Sequence, residues 1–429
     1  MKTFVLLFFF SAMPLLWTGC VNPASPDFTS RDDLDVYLDA WSWLNIYYLF
    51  QDELPKDPFA FTDPSALYNS VSDPWTVYFP PEQAAGFMSN FSTGNEGGLG
   101  IFYQVRNNKF CIISVIPGSP AFHSLFKGDT LTAVGNKPVD STTTRDTLAS
   151  WLHDSAGSSV TLWVLRPGVG TVSALITRGP FIAPTVIADT LDANVAYIAL
   201  FEFMDNTTVS GGTSAELTPI LAQTASFPVR ILDLRGNPGG FVQQCLDVSG
   251  AFLKSGDTIV RAKIRDPGRT FDTVFLAAGS ASEANKKIII LVDDSTASAA
   301  EMLTAGIQHN DSSAYIMGVH TYGKARGQVV IPATLRGAVK ITVMAMTTAD
   351  GVDYNHTGLM PDTVMSNSDK TRWLEIAHNR ALDWLGVPHK TTAAAIQEVS
   401  DRISDIELNR KLLGTKRSEK FSWIKRPGK

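Results

Sequence analysis

At 429 residues the chain is too long for one ordinary hydrophobic core, so two or three domains are expected. A hydrophobic share of 44% against 18% charged residues excludes a disordered chain, and three cysteines exclude a disulfide-dense scaffold. The net charge of -6 gives no electrostatic reason to expect nucleic acid as a partner. The basic C-terminal stretch from Arg410 to Lys429 reads as a solvated helix end and tail, with a weak contact to anionic lipid as the sharper alternative.

Residues 1–20 read as a targeting segment: Lys2 is followed by VLLFFFSAMPLLW, an apolar run too short to span a bilayer comfortably. The segment ends in Thr18-Gly19-Cys20, which resembles the lipobox of bacterial lipoproteins, although Trp17 stands where that motif usually has leucine. The resemblance implies a lipid on Cys20 and a membrane-anchored protein of the bacterial cell envelope, facing the periplasm. With Cys20 set aside, Cys111 and Cys245 fall in different expected domains and are read as free thiols.

Residues 21–92 are expected to form a short tether and a helical domain. Leu34, Tyr37, Leu38, Trp41, Leu44 and Tyr48 recur at helical spacing, and Asp57-Pro58, Asp63-Pro64 and Asp73-Pro74 punctuate the residues after them. From 93 to 178 the character changes to short strands, GLGIFYQV and FCIISVI, then a turn-rich stretch, a helix near 142–153 and the strand SVTLWVL. This order resembles a PDZ domain. The resemblance implies that the loop Gly98, Leu99, Gly100 and Ile101 offers backbone N–H groups to a peptide's C-terminal carboxylate. The peptide would add as a strand beside Ile101–Val105. Taken as four residues only, GLGI would be an ordinary tight turn.

Between 179 and 367 short runs rich in Val and Ile alternate with helical stretches: VAYIALFEF (195–203), VRILDL (229–234), KIIILV (287–292), AYIMGV (314–319) and VKITVMAM (339–346). That is an α/β pattern with both faces of a partly parallel sheet covered. Residues 368–429 are expected to be helices running into the basic tail.

Three loops in this region carry candidate chemistry. DLRGNPGG (233–240) ends an apolar strand, and its glycines permit positive φ and close approach of a ligand to exposed N–H groups. STASAAEM (295–302) comes after KIIILVDD, and Ser298 with Glu301 also fits a helix capping box, which on its own is the simpler reading. TYGKARGQ (321–328) places Lys324 after Gly323, with Gln328 four residues on. A serine hydroxyl needs a base, and a lysine serves only if burial keeps it uncharged.

These three motifs in this order resemble the C-terminal processing peptidases, or tail-specific proteases. Those are Ser-Lys hydrolases with a PDZ domain ahead of a crotonase- or ClpP-like α/β core. The resemblance runs from the N-terminal helices to GLMPDTVM (358–365). It implies Ser298 as nucleophile, Lys324 as general base, Gln328 as the residue orienting the lysine, and the amides of Gly240 and Ala299 as the oxyanion hole. A lysine half neutral near pH 7 needs a shift of about three units, or ~4 kcal/mol against the charged form.

Some residues depart from the family's pattern: HNDSSA (309–314) lengthens the Ser-to-Lys interval by one, Ala300 replaces a frequent serine, Arg326 brings bulk near the cleft, and His320 stands where glutamate is common. None of the seven histidines belongs to a metal-ligand motif, so no metal and no cofactor are expected. The function implied is an endopeptidase cutting exported proteins near their C-termini, with partners that present free tails. The alternatives are a non-catalytic peptide-binding scaffold and a carrier of apolar ligands.

Overall fold

The computed structural model describes residues 28–399, apart from 85–94, 107–108, 116–118, 333–336, 367–371, 390–395 and a few single positions; 1–27 and 400–429 lie outside the described residues. The candidate lipidation site Cys20 and the basic tail therefore fall outside it. Helix α1 (Arg31–Tyr47) starts at Ser30, whose Oγ accepts the Asp33 N–H at 3.1 Å, and Asp32 and Asp33 complement the positive helix end. Asp63 caps α2 (Pro64–Asn69) in the same way. The short strand β1 (Val77–Phe79) comes next.

The next module comprises β2 (Asn95–Gly98), β3 (Ile101–Arg106), β4 (Lys109–Val115), β5 (Thr130–Val134), β6 (Lys137–Pro138), α3 (Arg145–Leu152), β7 (Ser159–Arg166) and β8 (Gly170–Thr177). Its sheet runs β3-β4-β5-β7-β8, so β3 is an edge strand. The module has its own core, in which Leu99, Ile101, Phe110, Leu131, Leu148 and Val164 pack together. Gly100 is a required glycine: its φ is +76, and an added Cβ would lie 2.0 Å from the Ser119 Cβ.

The larger part adds β9 (Gly179–Phe181), β10 (Val186–Thr190), β11 (Val195–Leu200), α4 (Gly212–Gln223), β12 (Val229–Asp233), α5 (Val242–Phe252), β13 (Thr258–Asp266) and β14 (Arg269–Leu276). It continues with β15 (Lys287–Val292), α6 (Ala299–Asn310), β16 (Tyr315–Gly318), β17 (Arg326–Pro332), β18 (Ala338–Thr347), β19 (Thr363–Val364) and α7 (Trp373–Leu385). Among the described residues the expected strands and helices are present; of the helices expected over 368–429, α7 is described and residues 400–429 lie outside. The antiparallel hairpin of β13 and β14 is an addition to them, because its exposed charges break the apolar runs that mark the other strands.

The central sheet is ordered β10-β11-β12-β15-β16-β19, parallel except for the β10–β11 pair. Alternation along its strands divides the apolar residues between two faces. Ile198, Leu232 and Ile290 meet Cys245 and Met302 of α5 and α6, while Tyr197, Ile231 and Ile289 meet Trp373, Leu374 and Ala377 of α7. Cys111 and Cys245 are both free thiols.

The N-terminal helices do not keep a core to themselves. Tyr37, Leu44 and Leu67 share one with Val339 and Ile341 of β18, and β1 pairs antiparallel with that strand. The second sheet runs β1-β18-β13-β14, with β17 paired to β18. A local reading sees only the helical spacing of α1, whereas the apolar face it covers lies almost 300 residues further along the chain. The strand β1 carries the preceding Asp73–Thr76 turn along with it.

Candidate active site

Two turns meet at the C-terminal ends of the neighbouring parallel strands β12 and β15, the end of such a sheet where ligands bind. Asp293 Oδ1 accepts the Gly236 N–H at 2.9 Å, Thr296 Oγ1 donates to the Leu234 carbonyl at 2.8 Å, and the Ala297 N–H donates to the Asn237 carbonyl at 2.9 Å. These bonds bring the glycine turn against Ser298. A Cβ on Gly239 would lie 2.7 Å from the Ala297 carbonyl oxygen, 2.8 Å from the Ala299 nitrogen and 2.8 Å from the Ser298 Cβ, at a φ of +99. Gly239→Ala is therefore expected to push the serine turn aside and cost about 2–4 kcal/mol, measured as a lower urea midpoint.

Ser298 sits at the N-terminus of α6 with φ 57 and ψ -117, in a region that side chains rarely adopt. Such strain persists only where the surroundings impose it. Neither the Ala299 nor the Gly240 N–H donates a hydrogen bond among the described residues. Gly240 is held on both sides, with the Phe203 N–H donating to the Gly239 carbonyl at 2.9 Å and the Phe241 N–H to the Phe203 carbonyl at 2.7 Å. The two expected oxyanion donors thus lie on turns locked beside the serine.

Glu301 joins the serine turn to the lysine loop. One carboxylate oxygen accepts the Thr321 hydroxyl at 2.5 Å and the Gly323 N–H at 2.7 Å; the other accepts the Ser298 and Lys324 N–H groups, each at 2.8 Å. Burial raises the Glu301 carboxyl above its ordinary range, against the opposing pull of these bonds. The capping-box expectation is met on the glutamate side. The same side chain also fixes a segment more than 20 residues away, which a cap does not require.

Lys324 is half-buried. Burial brings its amine down to about 8, against the upward pull of Asp73 and Glu301. In this arrangement the amine is not hydrogen-bonded to the Ser298 hydroxyl. It lies over the indole of Trp75, 4.7 Å from the ring centroid, and that ring packs on Tyr322 with centroids 5.9 Å apart. Gln328, expected to orient the lysine, instead donates from Nε2 to Thr342 Oγ1 at 3.1 Å. The Thr342 N–H in turn donates to Thr76 Oγ1 at 3.0 Å, and the Thr76 hydroxyl to Asp73 at 2.7 Å.

The residues that depart from the family's pattern find places. Arg326 lies over the Phe50 ring at 5.4 Å and 3.6 Å from Asp353. His320 is exposed, 3.4 Å from the Thr357 carbonyl, and is not hydrogen-bonded to Ser298 or Lys324. The segment 309–314 is the last turn of α6 and a surface turn. Cys245 is buried beneath the site, its thiol pushed up to about 12 by burial and donating to the Ala299 carbonyl at 3.1 Å. No group of three metal-ligating side chains occurs among the described residues.

Sequence reasoning passes over Asp73, Trp75, Thr76, Lys340 and Thr342. Asp73-Pro74 reads along the chain only as a break in helical periodicity, and Lys340 is hidden inside an apolar strand. Lys340 is buried, and its amine is lowered to about 7 by burial and by the neighbouring Lys324 charge, against Asp73. A lysine inside a buried strand is the one available signal.

Comparison with known proteins bears on the same residues. The family model of peptidase family S41 matches residues 194–365, and a PDZ domain model matches 97–173. The chain is 30% identical over 298 residues to the carboxy-terminal processing protease CtpA of Bacillus subtilis, covering 69% of this chain and 61% of that protein. It is 27% identical to a carboxy-terminal-processing protease of Bartonella bacilliformis, covering 66% of it. The chain thus spans about three fifths to two thirds of these two relatives. A carboxyl-terminal-processing protease of Synechocystis is 25% identical over 382 residues, with 83% of this chain and 86% of that one covered. The solved structure of an assigned S41 protease from Bacteroides fragilis covers 90% of this chain and 98% of its own at 17% identity and a TM-score of 0.50, a likeness of fold alone.

Proposed function

We propose that this chain, which carries a peptidase family S41 domain behind a PDZ domain, is a serine endopeptidase that cleaves exported proteins near their C-termini. The observation that carries the reading is the Glu301 carboxylate, which binds the backbone of Ser298 and of Lys324 at once. Two segments far apart in sequence are thereby held to one point, with a lysine amine near its deprotonation point on one of them.

In this reading Ser298 Oγ attacks the scissile carbonyl as neutral Lys324 takes its proton. The Gly240 and Ala299 N–H groups receive the developing oxyanion, helped by the positive end of α6. Collapse of the tetrahedral intermediate releases the C-terminal product and leaves an acyl-enzyme on Ser298. Lys324, having passed its proton to the leaving amine, then activates the water that hydrolyses the ester. The lysine must swing from the Trp75 ring to the serine for this, since the two are not bonded in the arrangement described. A scaffold without chemistry gains nothing from a lysine kept near neutrality.

The open edge of β3 and the Gly98–Ile101 loop suit an added peptide strand whose carboxylate meets the loop amides. The domains are assigned as 21–92, 93–178 and 179–367, the last as a crotonase- or ClpP-like core. A lipid on Cys20 would hold the enzyme at the envelope; no helix among the described residues is long and apolar enough to cross a membrane. The test is casein, an unstructured substrate, incubated with the purified chain and followed by mass spectrometry of the products. Cleavage into peptides is expected. Intact casein after incubation with a correctly folded chain overturns the reading.

A further inference from the structure

The resting place of Lys324 has two properties that the mechanism does not use. Its amine lies 4.7 Å from the centroid of the Trp75 ring, within the range where an aromatic face attracts a cation. The Trp75 Nε1–H is also buried with no hydrogen-bond partner. A buried donor without a partner is costly, so the indole occupies a position with something to gain from rearrangement. Trp75 comes from the N-terminal segment and not from the S41 domain. It is held there by β1 pairing with β18, by the Asp73–Thr76 hydrogen bond and by the Thr342–Thr76 bond.

The charged groups around the amine are few. Asp73, from the turn before β1, and Glu301, from α6, pull toward the ammonium form. Lys340, from β18, is the neighbouring cation, and the interaction between the two lysines is repulsive. Lys340 alternates with Val339 and Ile341, which face α1, so it lies on the other face of β18 with Thr342 and Met344. The lysine loop lies along that strand, with the Met346 N–H donating to the Ala325 carbonyl at 2.9 Å. The indole adds a further interaction that favours the charged amine over the neutral one.

We propose that Trp75 is a positioning residue for Lys324: its indole face is a seat for the ammonium, and it keeps the lysine off Ser298 until the amine has lost its proton. This rests on Lys324 being the base. Seating and protonation are then linked. Acid favours the seated, inactive lysine, and alkali releases a neutral amine that the ring no longer attracts as a charge. The N-terminal segment thereby sets the pH at which the peptidase turns on.

The test compares Trp75→Leu, which keeps an apolar neighbour but removes the aromatic face, with Trp75→Phe, which keeps a face. For Trp75→Leu the acidic limb of kcat/KM on casein is expected to move down by about half a unit to one and a half units. The rate at pH 7 then rises about two- to eightfold, and Trp75→Phe stays near wild type. In parallel, the titration of the Lys324 amine is read by competitive acetylation and mass spectrometry in full-length chains carrying Ser298→Ala, where no turnover is needed. The same downward shift is expected there for Trp75→Leu. An unmoved or upward-moving Lys324 titration in that variant overturns the seat. A moved titration with no activity in any chain would leave the seat standing and remove the peptidase reading.

Discussion

Casein incubated with Lys324→Ala is expected to remain intact, with turnover down at least about a thousandfold, because the base that the proposed mechanism uses to take the serine's proton is gone. Ser298→Ala is expected to match it, and the double variant to add little, since residues that act as one unit do not lose activity additively. Both side chains are only partly buried, so the urea midpoint of either single variant should stay close to wild type. Turnover by either variant at the wild-type rate would show that the dyad is misassigned. The pH dependence comes from the same chemistry. The amine is lowered to about 8 by burial, and in the proposed mechanism its neutral form is the active one. Activity therefore rises with pH through about 8: roughly a tenth of the lysine is neutral at pH 7 and nine tenths at pH 9. A rate that falls over that interval in a folded enzyme contradicts a lysine base.

The second large effect is expected at Glu301. Alanine there strips a fully buried carboxylate from three N–H groups and one hydroxyl. Buried donors left without acceptors are costly, and several in one network are lost together, so about 3–5 kcal/mol of stability should go. Activity should fall by at least about a hundredfold as well, because the lysine loop is no longer tied to the serine turn. Glu301→Gln keeps a single acceptor oxygen and should fall between the two. Urea denaturation and casein cleavage measure the two losses separately. A Glu301→Ala chain with the wild-type midpoint and rate would mean that other contacts join the loops.

Most of the secondary structure is legible in the sequence because its signals are local. Buried parallel strands read as unbroken apolar runs, as in residues 288–292, and α6 begins just after the serine that its capping pattern marks. The hairpin of β13 and β14 is not legible, since one face of it is wet and its apolar residues are spaced by charges. The order of the three loops carries a family resemblance, and that resemblance nominates Ser298, Lys324, Gln328, Gly240 and Ala299. Their relations are another matter. The Gln328 amide meets Thr342 in place of Lys324, and the lysine rests on a tryptophan that nothing in its neighbourhood of the sequence announces.

Local chemistry alone settled where glycines must stand and which runs are buried, and the order of the motifs, through a family resemblance, picked out the candidate hydroxyl and amine. These depend on residue type and near spacing, and both are written along the chain. Only the folded arrangement decided that α1 and α2 share a core with β18, that Asp73 and Trp75 reach Lys324, and that Lys340 lies beside it. Apart from Lys340, those neighbours are separated by hundreds of residues, and the field at an amine depends on distance through space. An amine's charge state is therefore a property of the packed protein, whatever its own motif suggests.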